Sequence, residues 1–178
     1  MSAQISKMKP FCDKETLNVV IETPQGSRGK YKYDEESGLF ELSKMMPAGM
    51  EFPYDFGFVP GTKCDDGDPL DVLVFLNVSV PVGCLLRCRP IGVIEAEQTE
   101  KDGETVRNDR VVAVHTESHG NSHSDVKSLK EMNPELLKEL ERFFINYNSA
   151  SGVKFKLLGC GGPKKALELV KEASKKKH

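Results

Sequence analysis

The chain changes its hydrophobic period once, and that change limits the folds open to it. Up to about Thr116 the apolar residues alternate or come in short runs; beyond Asn133 they recur three and four apart. Period two lines one face of a strand, and spacing of three and four lines one face of a helix. Strands are predicted at residues 16–23, 30–33, 39–42, 70–76, 84–97 and 110–114, the second and third forming a hairpin and the fifth bending near Pro90 or Gly92. Residues 47–61, rich in proline, glycine and aromatics, are predicted to be a structured loop with little regular structure. Asn133-Pro134 reads as a helix start, with Asn as cap and Pro at the first helical position. Leu136, Leu140, Phe143, Phe144 and Tyr147 form the apolar stripe of that helix. A strand at 155–158 follows, and Gly162-Pro163 opens a second helix that runs to about Ala173. Strands first and helices last predict an α+β chain, a sheet or barrel with helices on one side.

At 178 residues the chain is expected to form one domain over 1–178, with 1–10 and 174–178 flexible. It carries 25 Lys and Arg against 27 Asp and Glu, a net charge of −2. That balance argues against a nucleic-acid binder and against a polybasic membrane-surface protein. No run approaches the roughly 20 apolar residues that span a bilayer, and the first ten residues show no secretory leader. Five cysteines, an odd number with no C-x-x-C pair, read as reduced thiols in a cytoplasmic protein.

Asp65-Asp66-Gly67-Asp68-Pro69-Leu70-Asp71 holds four carboxylates in seven residues, immediately before a buried strand. Its core, D-x-D-P-x-D, would arise by chance in about one in a thousand chains of this length. Like charges this close need neutralising. A solvated acidic turn would do so, and so would hard divalent cations, which prefer carboxylate oxygens. The spacing does not suit an EF-hand: a third acid stands where that loop needs Gly, and no Glu closes it. Glu22 ends a strand nearby, and Lys30, Lys32 and Lys44 follow in the same region. Carboxylates for metal beside lysines for anionic oxygens are what phosphoryl chemistry needs.

Taken with VVIETP, GKYKYD, FPYDFGFVPGT, DGDPLDVLV, CRPIGVIE, DRVVAV, ELLKELERFFINYN and FKLLG, these residues resemble family I (soluble) inorganic pyrophosphatases from about Thr16 to Leu158. The resemblance implies a small twisted OB-like β-barrel flanked by two C-terminal helices, several Mg²⁺ ions per site, a cytoplasmic location and a homo-oligomer, a hexamer in bacterial members. It implies hydrolysis of pyrophosphate to two phosphates, with a metal-activated water attacking and Asp68 as general base. Asp66 and Asp71 would be primary metal ligands, and Glu22 and Asn108 would hold further metal. Lys30, Lys44, Arg110 and Tyr147 would bind phosphate oxygens. Several positions depart from the family pattern. Lys44 stands where most members have Arg, and Phe52 and Phe56 replace two tyrosines. Lys32 stands where a Glu usually contacts a metal through water, and Asn148 replaces a phosphate-binding Lys. Asn108 takes the place of a metal-binding Asp, and Arg110 that of a phosphate Lys. The second acid of that metal site is one of Glu97, Glu100 and Asp102.

Two alternatives stay open at this level. One is a pyrophosphatase-like protein that binds metal with weak or no turnover. The other is an OB-type nucleic-acid module, which would want a basic groove with stacking aromatics; here Trp is absent and the central loop is acidic. His115, His119 and His123 recur every four residues, yet Gly120-Asn121-Ser122 breaks any helix there, so a loop is expected. Gly159-Cys160-Gly161-Gly162 is too short for a dinucleotide fingerprint.

Overall fold

The computed structural model describes residues 5–116 and 119–176. In chain order these hold β1 (Leu17–Thr23), β2 (Gly29–Asp34), β3 (Leu39–Met45), β4 (Asp55–Val59), β5 (Leu70–Phe75), β6 (Leu85–Thr99), β7 (Thr105–Arg107), β8 (Arg110–His115), α1 (Pro134–Ser149), β9 (Lys154–Gly161) and α2 (Pro163–Lys176). Five strands close a ring: β1 pairs β4, β4 pairs β5, β5 pairs β8, β8 pairs β6, and β6 returns to β1. The β5–β8 pair is parallel and the rest are antiparallel. The expected α+β barrel with two C-terminal helices is the observed architecture.

β6 has 15 residues and changes partners along its length. Leu85–Cys88 pairs with β1, and Val93–Thr99 pairs with β9. Between them the register against β8 shifts at Pro90/Gly92, the bend expected from the sequence. Apart from Asp71, the run Leu70–Phe75 is apolar because both faces of β5 are covered. Val72 and Val74 pack with Leu17, Val19, Ile21 and the α2 residues Ala166, Val170 and Ala173. Leu73 and Phe75 pack with Phe52, Phe56 and the α1 residues Leu140 and Phe144. The two helices therefore join different apolar clusters, a departure from the arrangement on one side that strands first and helices last predict.

A second correction concerns residues 47–61, expected to lack regular structure. They contain β4, five consecutive buried residues. Gly57 at its centre faces Ile21, and a Cβ there would stand 2.1 Å from the Val20 carbonyl oxygen. The glycine that reads as a breaker is what lets β1 and β4 lie close. The short β7 also went unpredicted. Elsewhere the signals hold: Asn133 Oδ1 accepts the Glu135 N–H at 3.0 Å and caps α1, and Pro163 opens α2. The β2–β3 hairpin lies outside the ring and packs on it through Tyr33, Phe58 and Val20.

Of the ends expected to be flexible, residues 1–4 and 177–178 lie outside the described residues. Within them, Asn18 holds the carbonyls of Lys9 and Pro10 through its side-chain and backbone N–H groups, and α2 runs through Lys176.

Candidate active site

The acidic segment is a tight, internally bonded loop between β4 and β5. Thr62 Oγ1 donates to the Val59 carbonyl at 2.6 Å and accepts the Leu70 N–H at 2.9 Å, closing the loop's base. Asp68 O accepts the Cys64 N–H at 2.7 Å, and the Asp68 N–H donates to Asp66 Oδ1 at 3.0 Å. Gly67 turns the chain with φ 88°, a left-handed conformation that favours glycine. Of the four acids, Asp65 turns away to Lys176, 2.7 Å distant. Asp66, Asp68 and Asp71 line a cavity of about 280 Å³. Asp71 is on β5, opposite Phe58 of β4, so its position is set by the ring.

Four cations line the same cavity, and acids already hold three of them. Lys30 Nζ is 3.1 Å from Glu22 Oε2 and lies over the Phe56 ring at 4.1 Å. Glu22 is buried, and its other oxygen accepts the Tyr33 N–H at 2.8 Å. Lys32 Nζ reaches both oxygens of Asp68, at 2.8 and 2.9 Å. Lys44 Nζ donates to Ser151 Oγ at 3.0 Å and sits 3.8 Å above the Tyr147 ring; burial, and then the charge of Lys30, lower its pKa. Phe52 and Phe56, lacking hydroxyls, build this aromatic side: Phe52 meets Tyr147 edge-on, and Phe56 gives Lys30 its ring face.

Arg110 is 3 % exposed. Its guanidinium stacks on Phe144 at 4.3 Å and donates to the Asn108 carbonyl and to Gln98 Oε1, each at 2.9 Å. Its Nε has no hydrogen-bond partner among the described residues and lies 3.8 Å from Asp71 Oδ2. Burial pushes the Asp71 carboxyl up to about 6, against the opposing pull of Arg110 and Lys30. Burial also raises Asp66 and the Tyr147 hydroxyl.

Nine residues named from the sequence for metal, base or phosphate line this one cavity: Glu22, Lys30, Lys44, Asp66, Asp68, Asp71, Asn108, Arg110 and Tyr147. Of the three candidates for a further acid, Glu100 lines it. Glu97 instead pairs with Lys156 at 3.2 Å, and Asp102 accepts the Glu104 N–H in a turn. Asn148 lines the cavity but donates to the Phe144 carbonyl within α1, a helix back-bond. Gln98 went unremarked in the sequence. Its Oε1 accepts from both Asn108 Nδ2, at 2.8 Å, and Arg110. The alternation Ile94, Ala96, Gln98 along β6 is the signal that marks it, a polar residue ending an inward-facing row.

Two of the acids suit a hard cation. Mg²⁺ is commonly held by one or two carboxylates plus substrate phosphates. Burial raises both Asp66 and Asp71, so each charged carboxylate stands where positive charge is wanted. Among the described residues no three Asp, Glu, His or Cys side chains are grouped to hold an ion. Lys32 occupies Asp68, and Lys30 occupies Glu22. The donor set therefore fits a cation that arrives with an anionic ligand better than a closed protein cage.

Comparison with known proteins places this geometry in a family. Residues 19–178 match the family model described as inorganic pyrophosphatase. The inorganic pyrophosphatase of Sulfolobus acidocaldarius is 32 % identical over 163 residues, 91 % of this chain and 91 % of that protein. That of Aquifex pyrophilus is 36 % identical over 160 residues, 89 % of this chain and 87 % of the relative. Among solved structures, an inorganic pyrophosphatase from Coxiella burnetii superposes with a TM-score of 0.86 at 30 % identity, covering 96 % of this chain and 100 % of that one. One from Thermus thermophilus gives a TM-score of 0.87 at 27 % identity, covering 98 % and 99 %.

Proposed function

The chain belongs to the inorganic pyrophosphatase family, and on that premise we propose how its own residues hydrolyse pyrophosphate to two phosphates. The observation that carries the reading is one cavity in which Asp66, Asp68 and Asp71 face Lys30, Lys32, Lys44 and Arg110. Mg²⁺ is the cation, more than one ion per site, with Asp66 and Asp71 as primary ligands and Glu22 and Asn108 beside further ions. When bound, it screens the charge of pyrophosphate and makes a water molecule more acidic.

Asp68 is the general base. It accepts the proton of the attacking water as the water oxygen bonds to phosphorus. The bridging P–O bond breaks on the opposite side, and its electron pair leaves with the second phosphate. Lys30, Lys44 and Arg110 hold phosphate oxygens. Arg110 needs little reorganisation for this, because Phe144, Gln98 and the Asn108 carbonyl already fix its plane. The Tyr147 hydroxyl, kept protonated by burial, donates to a phosphate oxygen.

The test is phosphate release from pyrophosphate with Mg²⁺, with and without chelator. Release that chelator abolishes is the expected result, and Asp68→Asn is expected to cut turnover by about 10²–10⁴-fold with an unchanged circular dichroism spectrum. Absence of Mg²⁺-dependent release by the wild type would overturn the reading.

The whole chain is read as one catalytic domain in a homo-oligomer, a hexamer. Leu39, Leu42 and Met45, 65 %, 55 % and 73 % exposed along β3, support association with another copy. The location is read as cytoplasmic. All five cysteines are free thiols, which suits a reducing compartment, and no helix of the described residues is long and apolar enough to cross a membrane.

A further inference from the structure

Lys30 and Lys32 lie two residues apart on β2 and share a face of the strand. Each is clasped by an acid from another element, but the two pairs differ. The side chains of Lys30 and Glu22 are 14 % and 9 % exposed, and Glu22 is also held by the Tyr33 N–H. Those of Lys32 and Asp68 are 51 % and 50 % exposed. An ion pair open to water contributes little net stability and exchanges partners at low cost.

The position of that exposed pair gives it a role. Lys32 and Asp68 line the 280 Å³ cavity and also a neighbouring pocket of about 250 Å³, so their ion pair stands between the two. The Asp68 backbone is held by its loop, its carbonyl accepting the Cys64 N–H and its N–H donating to Asp66. The movable partner is Lys32, a point charge on a four-carbon stem with three rotatable donors. With Lys32 in place both Asp68 oxygens are occupied, and the residue read above as the base is covered.

We propose that Lys32 is a substrate-responsive cap on Asp68: its ammonium covers both carboxylate oxygens in the ligand-free protein and transfers to a phosphoryl oxygen when pyrophosphate enters, leaving Asp68 open to the reacting water. The proposal rests on the functional reading above. An incoming pyrophosphate carries several negative charges where Asp68 carries one, so the exchange runs toward the substrate. Until it does, the tethered ammonium also competes with divalent cations for the acidic loop. Lys32 is thus a positioning residue for Asp68 without substrate and a binding residue with it.

The two roles shift two measurements in opposite directions. Mn²⁺ binding to the full chain, followed by electron paramagnetic resonance without phosphate, reads the cap. The KM for pyrophosphate at saturating Mg²⁺ reads the transfer. For Lys32→Gln the Mn²⁺ Kd is expected to fall by roughly two- to fivefold while KM rises by about tenfold. Lys32→Arg, which keeps the charge, is expected to restore both toward wild type. A lysine of structural importance alone would leave Mn²⁺ affinity unimproved, and an ordinary substrate lysine would move KM alone; either result overturns the cap. If wild type shows no Mg²⁺-dependent phosphate release, the functional reading fails and the transfer with it. An active enzyme whose Mn²⁺ Kd and KM both ignore Lys32→Gln overturns the cap and leaves the reading standing.

Discussion

The Asp71 side chain is one-quarter exposed, and burial raises its carboxyl from 3.8 to about 6. The folded protein therefore favours the protonated form. The stability that proton supplies is fully present below about pH 3.8 and is lost as pH rises through about 6. At neutral pH, without cations, the charged carboxylate costs on the order of 1–3 kcal/mol. Asp71→Asn is accordingly expected to raise the Tm of chelator-treated protein at pH 7 and to lose most of the further rise that Mg²⁺ gives wild type. A lower Tm for the variant in chelator would refute that account. Residue identity made the acids, Lys30, Lys44 and Arg110 legible in the sequence, because the chemistry of a carboxylate or a cation is written in its type. Partnership was less legible. Glu97 faces Lys156, Asn148 bonds its own helix, and Gln98 organises Asn108 and Arg110, all through contacts between residues distant in the chain or through backbone groups.

Elements were legible where one face or both faces of a segment had a repeating apolar demand. β5, β8 and the two helices satisfy it, and the Asn133-Pro134 cap fixes where α1 begins. β4 escaped because its composition answers a steric demand that the local pattern does not carry. Phe56, Gly57 and Phe58 combine large side chains with the one residue that β1 can approach. Gly57→Ala would push a methyl into the Val20 carbonyl, which is backbone and has little freedom to yield. The expected cost is about 3 kcal/mol or more, read as a lower urea midpoint with an unchanged slope. A midpoint equal to wild type would mean that the ring seam is looser than the structure has it.

At the scale of the molecule, the ring and two helices hold most of the buried residues, while the β2–β3 hairpin stands apart with three large apolar side chains of β3 in the open. A strand edge carrying Leu39, Leu42 and Met45 is a liability for a lone copy. Sedimentation equilibrium is expected to return six times 19.8 kDa at micromolar protein. A mass of 19.8 kDa at all concentrations would exclude assembly. The net charge of −2 belongs to this scale too. It sums the whole chain, including a cavity in which Glu22, Asp68 and Asp71 pair with Lys30, Lys32 and Arg110, so it says nothing of the chemistry inside.

β6 leaves the seam with β1, crosses β8 and β9, and carries Gln98 near its end, with Glu100 just beyond it at the cavity. One unbroken backbone thus runs from the point where the ring shuts to the wall that holds Arg110. Its register shift at Pro90/Gly92 is closely packed: a Cβ on Gly92 would meet the Gly161 carbonyl oxygen at 2.6 Å. That wall of the cavity therefore rests on the ring, while Asp66 and Asp68 rest on the bonded loop between β4 and β5.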